Sequence, residues 1–424
     1  MKKLILSTAL LAAICTAGQA QETNDYYVKH VEFPQGATLE QKVDMAARLV
    51  PTPQQLEWQQ MELTAFLHFG INTFTGREWG DGKENPALFN PTDFDAEQWV
   101  RSLKEAGFKM AILTAKHHDG FCLWPTKTTG HSVAASPWKD GKGDVVRELR
   151  DACDKYGIKF GVYLSPWDMH DERYGTDEYN DYFCNQLTEL LTNYGEIFEV
   201  WFDGAKGSNA KKFEYDWQRY YDLIRKLQPK ANIAICGPDI RWVGNEGGKS
   251  RKSEYSVVPC ALREADRIMA LSQQDENQAS SLQKYNQMDE DLGSRKILEK
   301  NAYICWFPAE VDVSIRKGWF FHEKDNRNSK SAKKLFKIYL NSVGNNCTLL
   351  LNIPPTPQGE IHKKDAKNLK KLGSMIKNIT ANPIVYNELG ELTKDNGVLD
   401  FDFNDTRKVK YVVLQEDIAK SQRV

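Results

Sequence analysis

One theme repeats along the chain from about residue 61: a short apolar run, a cluster of polar or aromatic residues, and then an amphipathic stretch. The stretches 96–106, 145–156 and 178–194 have the spacing of amphipathic helices, whereas the apolar runs have the length of strands. Strands that alternate with helices form parallel sheets, and continuous apolar strands are buried on both faces. The pattern therefore predicts an α/β fold, a (β/α)8-like TIM barrel, better than an open sheet. The predicted strands are 63–69, 110–114, 159–164, 197–202, 232–236, 302–307 and 348–353.

The two ends of the chain have different patterns. Residues 1–20 combine Lys2 and Lys3, an apolar run and a small-residue cleavage site at Ala20, which is typical of a secretory signal peptide. We expect cleavage after Ala20 and a secreted or periplasmic protein. No later stretch approaches the roughly 18 consecutive apolar residues of a transmembrane helix, so we expect no membrane anchor.

Near the other end, residues 397–403 and 409–414 alternate between apolar and polar side chains, which predicts strands. We assign residues 21–380 to the catalytic barrel domain and residues 381–424 to the start of a C-terminal β-sandwich domain. Two or three strands are too few for an independent domain, so we expect this sandwich to be incomplete.

The amino-acid composition limits the classes of binding partner that we expect for this protein. Of 424 residues, 41% are hydrophobic and 27% charged, which is typical of a globular protein. A formal net charge of −2 gives no electrostatic reason to expect a nucleic-acid partner. An aromatic content of 11% is compatible with sugar binding, because aromatic rings combine an apolar face with a polar tip.

Polar residues follow most of the predicted strands, and the active site of a barrel lies at the C-terminal ends of its strands. His68 lies in the first run, and His117 and His118 follow the second. Trp167 and Asp168 follow the third, Asp203 follows the fourth, and the segment from Arg241 to Glu246 lies beyond the fifth. The sequence predicts one site built from these segments.

Two of these residues are carboxylates. Asp203 directly follows an apolar run, and Glu246 lies in a glycine-rich loop. Such a pair is what most glycoside hydrolases require, one carboxylate at the anomeric carbon and one to protonate the leaving oxygen. Asp-Gly is also a common turn signal, and a loop glutamate is more often simply solvated. Sequence separation does not establish that the two carboxylates meet in space.

The adjacent histidines His117 and His118 permit two interpretations. Imidazole is a frequent metal ligand, but no H-x-H or H-E-x-x-H spacing accompanies them. Neighbouring residues of an extended segment point to opposite sides, so we expect at most one of them to enter a given site easily. We favour hydrogen bonding to a polar substrate over metal binding, and a structural core histidine remains an alternative.

Several short motifs occur in order along the chain and together resemble the α-L-fucosidases of glycoside hydrolase family 29, over about residues 50–380. Two further segments, 241–248 (RWVGNEGG) and 308–320 (PAEVDVSIRKGWF), resemble the subgroup that acts on α-1,3 and α-1,4 linkages. The six motifs are 67–70 (LHFG), 77–80 (REWG), 115–121 (AKHHDGF), 161–168 (GVYLSPWD), 200–204 (VWFDG) and 349–355 (LLLNIPP).

The resemblance implies a retaining exo-α-L-fucosidase that uses neither metal nor cofactor and acts on a fucosylated oligosaccharide or glycan. Asp203 matches the nucleophile position and Glu246 the acid/base position. Arg241 is a further candidate sugar contact, and Glu310 and Asp312 are candidates for the site or its support. The residues that match fucose-binding positions are His68, Glu78, Trp79, His117, His118, Tyr163 and Trp319, and Trp167 and Asp168 match positions near the aglycone.

Two alternatives stay open at this point. One is a metal-dependent barrel hydrolase that binds its metal through His68, His117 or His118. The other is a glycan-binding protein that has lost catalysis. The presence of both Asp203 and Glu246 argues against the second alternative, because degeneration usually removes one carboxylate.

Overall fold

The computed structural model describes residues 30–207, 213–252, 254–272, 291–325, 327–381, 405–406 and 408–420. Its strands are β1 (His30–Glu32), β2 (Leu63–Leu67), β3 (Met110–Lys116), β4 (Lys159–Leu164), β5 (Glu199–Phe202), β6 (Asn232–Ile235), β7 (Arg241–Trp242), β8 (Val257–Pro259), β9 (Tyr303–Trp306), β10 (Ala309–Ser314) and β11 (Thr348–Asn352). Its α-helices are α1 (Leu39–Ala47), α2 (Pro53–Met61), α3 (Ile71–Thr75), α4 (Ala96–Glu105), α5 (Val145–Tyr156), α6 (Glu178–Asn193), α7 (Trp217–Leu227), α8 (Ala265–Ser272), α9 (Arg295–Glu299), α10 (Ala332–Ser342) and α11 (Lys363–Thr380). Short 3-10 turns lie at Pro86–Leu88, Val133–Ala135, Trp138–Gly141, Cys260–Arg263, Glu323–Asp325 and Val343–Asn345.

Eight parallel strands form the main sheet, in the order β6-β5-β4-β3-β2-β11-β10-β7. The two strands at the ends of this order, β6 and β7, also meet. A parallel bridge joins Ala234 to Ile240, and the Ile235 amide donates to the Ile240 carbonyl over 3.0 Å. The sheet therefore nearly closes on itself, which confirms the predicted TIM-barrel fold.

The three helices whose limits were predicted, α4, α5 and α6, match those limits to within one residue. Helix α4 begins after Asp95 and helix α5 after Asp144, and in each case the aspartate side chain accepts a hydrogen bond from the third helical amide. Helix α5 ends at Gly157, whose φ of 63° is a left-handed conformation that glycine adopts readily. Large apolar side chains such as Trp58 and Trp99 are fully buried in the main core. The amphipathic pattern thus decides which helix face contacts the sheet.

One predicted barrel strand is wrong. The run 302–307 contributes β9, which pairs with β1 and β8 in a separate three-stranded antiparallel sheet. Its place in the barrel is taken by β10, which pairs with β11 and β7. Strand β10 alternates apolar with polar residues, and all six of its residues are buried. Because Glu310 and Asp312 interrupt the apolar run, the strand lacks the continuous apolar signal of its neighbours.

Of the two strands predicted near the C-terminus, only the second lies within the described residues. Residues 397–403 lie outside the described residues, as do residues 1–29 with the predicted signal peptide, so export stays a prediction. The described residues 408–417 form no β-ladder, and Val412 and Leu414 are 78% and 76% exposed. The strand predicted at 409–414 is not seen among the described residues, and the C-terminal domain assigned to residues 381–424 stays a prediction. Within the described ranges, no helix has the length and apolarity needed to cross a membrane.

A buried ion pair holds the seam between β6 and β7. Arg225 on helix α7 donates to both carboxylate oxygens of Asp239 over 2.6 Å, and the Ile233 amide donates to Asp239 over 2.7 Å. Asp239 is only 3% exposed. The Asp239 carboxylate thus connects a covering helix, strand β6 and the connection to β7.

We expect Asp239→Ala to lower the free energy of unfolding by about 3–5 kcal/mol, because it leaves the buried Arg225 guanidinium without its countercharge. Urea denaturation measures this change. The matched control is Asp44→Ala, which breaks the exposed pair between Asp44 and Arg48 and should change stability little. Equal effects of the two substitutions would contradict this role for Asp239.

Candidate active site

The site lies at the C-terminal ends of neighbouring barrel strands. His68 follows β2 directly, His117 follows β3, and Asp203 follows β5. Barrel closure brings these strand ends together, so that the rings of His68 and His117 lie 5.6 Å apart. Tyr163 on β4 stacks against His117 at 5.7 Å. The structure therefore gathers into one pocket side chains that are far apart in sequence.

Asp203 is held by hydrogen bonds to both carboxylate oxygens. The Tyr163 hydroxyl donates to Oδ2 over 3.0 Å, and the Ala205 amide donates to Oδ1 over 2.8 Å. The Asp203 side chain remains 23% exposed. Burial and the neighbouring Asp203 charge raise the pKa of Tyr163 well above its usual value, so that tyrosine stays a neutral donor. Asp203 is thus a fixed carboxylate with an open face.

Glu246 lies in the loop that follows β7, exposed to solvent on one side. The Trp319 indole N–H donates to its Oε2 over 3.2 Å. Loss of hydration raises the pKa of Glu246, and the negative charges of Asp203 and Glu78 raise it further, although the Trp319 bond acts in the opposite direction. Glu246 therefore keeps its proton to higher pH than an ordinary carboxyl group, as a general acid requires.

The three histidines of the site are neutral at neutral pH. Burial lowers the pKa of His68 to about 3, and it lowers those of His117 and His118 as well. The contact of 3.9 Å between His118 Nε2 and Asp203 Oδ2 is therefore not an ion pair at neutral pH. Neutral imidazoles can both donate to and accept from hydroxyl groups.

Neighbouring groups fix the tautomers of two of these histidines. The Asn352 amide donates to Ser314 and to the Trp319 carbonyl, so its Oδ1 is the acceptor that faces His68 Nδ1 at 2.9 Å. The Ser165 hydroxyl donates to the Trp167 carbonyl and so accepts from His118 Nδ1 at 2.7 Å. In both histidines Nδ1 carries the proton, which leaves Nε2 as an acceptor.

His117 and His118 enter the same site, and the expectation that they point to opposite sides is wrong. Their ring centroids are 4.1 Å apart. Strand β3 ends at Lys116, and the Gly120 amide donates to the His117 carbonyl over 3.0 Å. The two histidines thus lie in a turn, where the alternation of an extended strand does not apply.

A second group of predicted residues borders the pocket. Glu78 accepts a hydrogen bond from the Trp319 amide over 2.7 Å and pairs with His322. Trp79 is 56% exposed. Its ring lies 5.7 Å from that of Trp167, which in turn lies 4.8 Å from the His118 ring. These residues form an aromatic rim beside the carboxylates.

Two predicted contacts have other partners in the structure. Asp168 is paired with Lys116 over 2.9 Å, and Arg241 is paired with Glu254 over 2.7 Å, with all four side chains fully buried. Burial alone would raise the pKa of Asp168, but the Lys116 charge and amide hydrogen bonds hold it below its usual range. Neither Asp168 nor Arg241 has surface that a sugar could contact, so both support the loops around the pocket instead.

Glu310 and Asp312 lie inside the barrel on β10. The Trp201 indole donates to Glu310 over 2.8 Å, and the Trp242 indole donates to Asp312 over 3.0 Å. Burial raises the pKa of Glu310 to about 7. Burial and the charge of Glu246 raise the pKa of Asp312 well above its usual value. These two carboxyls therefore support the site from within the barrel.

Sequence reasoning missed several residues around the pocket, although all but one lie inside the quoted motifs. Their position inside these motifs is the signal that could have identified them as residues of the site. The Phe320 ring, for example, packs against His117 at 5.0 Å. The missed residues are Ser165, Trp201, Trp242, Phe320, His322 and Asn352.

In the part of the chain that the structure describes, no group of three or more His, Cys, Asp or Glu side chains is arranged to hold a metal ion. His68 Nδ1 is bound to Asn352 and His118 Nδ1 to Ser165. Both of these ring nitrogens are therefore engaged in hydrogen bonds within the pocket.

Comparison with known proteins gives a consistent result. The family model for alpha-L-fucosidase matches residues 50–380. "Alpha-L-fucosidase 1" of Arabidopsis thaliana is 46% identical over 335 residues, which cover 78% of this chain and 61% of that protein. The chain thus spans about three fifths of the length of this curated relative.

Solved structures agree with the sequence matches. A Bacteroides ovatus protein of the alpha-L-fucosidase type is 64% identical with a TM-score of 0.78, over 84% of this chain and 61% of that chain. A family 29 fucosidase of Ruminococcus gnavus, solved in complex with fucose, is 35% identical with a TM-score of 0.68, over 80% of this chain and 69% of that chain. On the family match and these identities, the chain belongs to the α-L-fucosidase family, glycoside hydrolase family 29.

Proposed function

We propose that this protein is a retaining exo-α-L-fucosidase that removes terminal α-1,3- or α-1,4-linked L-fucose from fucosylated oligosaccharides or glycans. The proposal depends on one observation: this chain of the fucosidase family brings two carboxyl groups, those of Asp203 and Glu246, into one pocket. Asp203 is anchored by Tyr163 and the Ala205 amide, whereas Glu246 has a raised pKa. Double displacement at an anomeric carbon needs one carboxylate that attacks and a second carboxyl group that donates and then accepts a proton.

Asp203 is the proposed nucleophile. Its Oδ1 and Oδ2 each accept one hydrogen bond, which fixes the carboxylate while leaving lone pairs available. Attack on the anomeric carbon forms a covalent fucosyl-enzyme as the bond to the aglycone oxygen breaks. Tyr163 remains a phenol and stabilises the carboxylate without competing for a proton.

Glu246 is the proposed acid/base. In the first step its proton moves to the departing aglycone oxygen. In the second step the resulting carboxylate takes a proton from the water that attacks the fucosyl-enzyme. The Asp203 charge helps to keep Glu246 protonated before the first step, and loss of that charge in the covalent intermediate favours the carboxylate form.

Recognition of fucose is assigned to the neutral histidines and the aromatic residues. The acceptor nitrogens of His68 and His118 suit sugar hydroxyls, and a site built to bind hydroxyls penalises sugars that lack them. Trp319 packs 5.0 Å from His68 and offers an apolar face for the methyl group of a 6-deoxy sugar. Glu78 holds the Trp319 backbone in place.

The linkage preference is assigned to the rim formed by Trp79 and Trp167. Both rings border the pocket beside His118, and Trp79 is more than half exposed. A second sugar packed on this rim would contribute binding energy away from the reacting bond, which can lower the barrier of the chemical step. Substrates whose fucose lies beside another sugar on a branched unit fit this arrangement.

We expect Asp203→Ala to lower kcat on an aryl α-L-fucoside by at least about a hundredfold, because it removes the attacking group. Added azide should restore turnover by attacking the face opposite the leaving group, giving β-L-fucosyl azide by proton NMR. The control is Asp177→Ala, an exposed carboxylate that makes no capping hydrogen bond. Near-normal turnover of Asp203→Ala without azide would refute the assignment.

For Glu246→Ala we expect loss of activity on oligosaccharides, whose leaving groups need protonation, with much less effect on the first step for a dinitrophenyl fucoside. Azide should now trap the fucosyl-enzyme as α-L-fucosyl azide, the anomer opposite to that from the Asp203 variant. In the wild type, kcat/KM should fall as pH rises through the raised pKa of Glu246, and this alkaline limb should be absent from the variant. The same azide anomer from both variants would exclude the double-displacement pair.

We expect 3-fucosyllactose and Lewis-type trisaccharides to have higher kcat/KM than 2′-fucosyllactose or simple aryl fucosides. Trp167→Ala should lower kcat/KM for the trisaccharides by about tenfold, as expected from loss of one aromatic contact, and should change it less for the aryl fucoside. Equal values for 2′-fucosyllactose and a Lewis trisaccharide would overturn the linkage assignment and leave the fucosidase assignment intact.

A further inference from the structure

The segment that carries Glu78 and Trp79 is pressed onto the strand ends beneath it. We call residues 77–84 the Glu78 loop. Its Gly80 and Gly82 have φ values of 76° and 74°, which favour glycine. A Cβ on Gly82 would lie 2.4 Å from the Met169 backbone, and one on Gly80 would lie 2.5 Å from Glu84 Oε1. At Gly80 and Gly82 the loop backbone therefore packs directly against the residues beneath it, with no space for a side chain.

A buried asparagine connects this loop to the histidine turn. Asn72 on helix α3 has no exposed surface, and its Nδ2 donates to the Glu78 carbonyl over 3.3 Å and to Asp119 Oδ2 over 2.9 Å. Asp119 follows His118 directly and is 2% exposed. Its Oδ1 accepts from the Phe121 amide over 2.7 Å. One amide group thus joins the backbone of Glu78 to the turn that carries His117 and His118.

The second observation is the charge state that this packing imposes on Asp119. Burial raises its pKa to about 8, with further contributions from the Glu84 and Asp168 charges. The Lys116 ammonium is already paired with Asp168 over 2.9 Å. Asp119 is therefore mainly protonated at neutral pH, and its neutral form is compatible with the buried connection to Asn72. The ionisable groups that face Asp119 are Glu84, Lys116, Cys122, His131, Tyr163 and Asp168.

The other facing groups do not supply a countercharge. His131 hydrogen-bonds to the Asp119 backbone carbonyl, and burial lowers its pKa to about 4. Burial raises the pKa values of Cys122 and Tyr163 well above their usual values, so both are neutral. Ionisation of Asp119 would therefore add a negative charge beside Glu84 and Asp168. Such a charge would repel the base of the Glu78 loop.

We propose that Asn72 and Asp119 form a brace that sets the position of Glu78 and Trp79 relative to His117 and His118, and that both are positioning residues for sugar binding. The inference rests on the proposed function, since it assumes that these four residues contact the sugar. Neither brace residue touches substrate. Both act by fixing the distance between two walls of one pocket, and small displacements of binding groups cost much affinity.

The first experiment measures L-fucose binding by isothermal titration calorimetry, with Asp119→Ala and Asp119→Asn compared with the full-length wild type at pH 6.5. Asp119→Ala should raise Kd by about tenfold or more. Asp119→Asn should raise Kd less, because its single acceptor oxygen can satisfy only one of the two donors, Asn72 Nδ2 and the Phe121 amide. Asn72→Ala provides a second route if Asp119→Ala does not fold, and it should also raise Kd. Absence of fucose binding by the wild type would refute the proposed function, whereas wild-type affinity in Asp119→Ala or Asn72→Ala would refute the brace alone.

The second experiment varies pH. If Asp119 had a purely structural role, its ionisation would not change the affinity for the sugar. In the wild type, Kd for fucose should rise as pH passes above about 8, where Asp119 ionises, and in Asp119→Asn this rise should be absent. Hydrogen exchange of the amides of residues 77–84 should accelerate over the same pH range in the wild type, beyond the intrinsic effect of pH, and not in the variant. Identical pH profiles of Kd for the two proteins would overturn the proposal.

A stability measurement checks the charge state independently. The folded-state pKa of Asp119 lies above the ordinary value of 3.8, so the folded protein holds a proton that the unfolded chain releases. The stability from this group is complete below about pH 4 and is lost as pH rises towards 8. The difference in Tm between Asp119→Asn and the wild type should therefore shift in favour of the variant as pH rises from 5 to 8. The contrasting variant is Asp168→Asn, which should lose Tm throughout this range because it leaves the buried Lys116 charge unpaired.

Discussion

The near closure of eight parallel strands is the constraint on which the site depends. The strands contribute residues near their C-terminal ends and in the loops that follow, so the pocket forms only where these ends meet at one side of the barrel. At the seam between β6 and β7, a parallel bridge and the Asp239 carboxylate replace a full ladder within the described residues. Because β7 leads directly to the loop of Glu246, the seam also sets where that carboxyl stands relative to Asp203.

Indole N–H groups hold the acidic side chains of the pocket. Trp201 donates to Glu310, Trp242 to Asp312 and Trp319 to Glu246. An indole can donate but not accept, so it binds a carboxyl group in either protonation state. Burial raises the pKa of Glu310 and Asp312, which limits the negative charge beneath the pocket. The barrel can therefore hold several acidic residues near one another.

Much of the site could be predicted from the sequence. The positions of His68, His117 and Asp203 after apolar runs were sufficient to place them at one end of a barrel, since that follows from strand direction alone. The limits of helices α4, α5 and α6 followed from their apolar periodicity. Strand β10 did not follow, because its buried Glu310 and Asp312 look polar in sequence and are neutralised only by their surroundings.

Local sequence thus determined the elements, their order and the residue types available for chemistry. Tertiary structure alone decided how those residues are used. Asp168 and Arg241 stand next to pocket segments in sequence, yet both are buried in ion pairs, with Lys116 and Glu254 respectively. His117 and His118 share one site because the chain turns after β3, and the pKa values of Glu246 and Asp119 depend on burial and on charges from distant segments of the chain. The physical reason is that burial and electrostatic interaction depend on distance in space, which a sequence of adjacent residues does not specify.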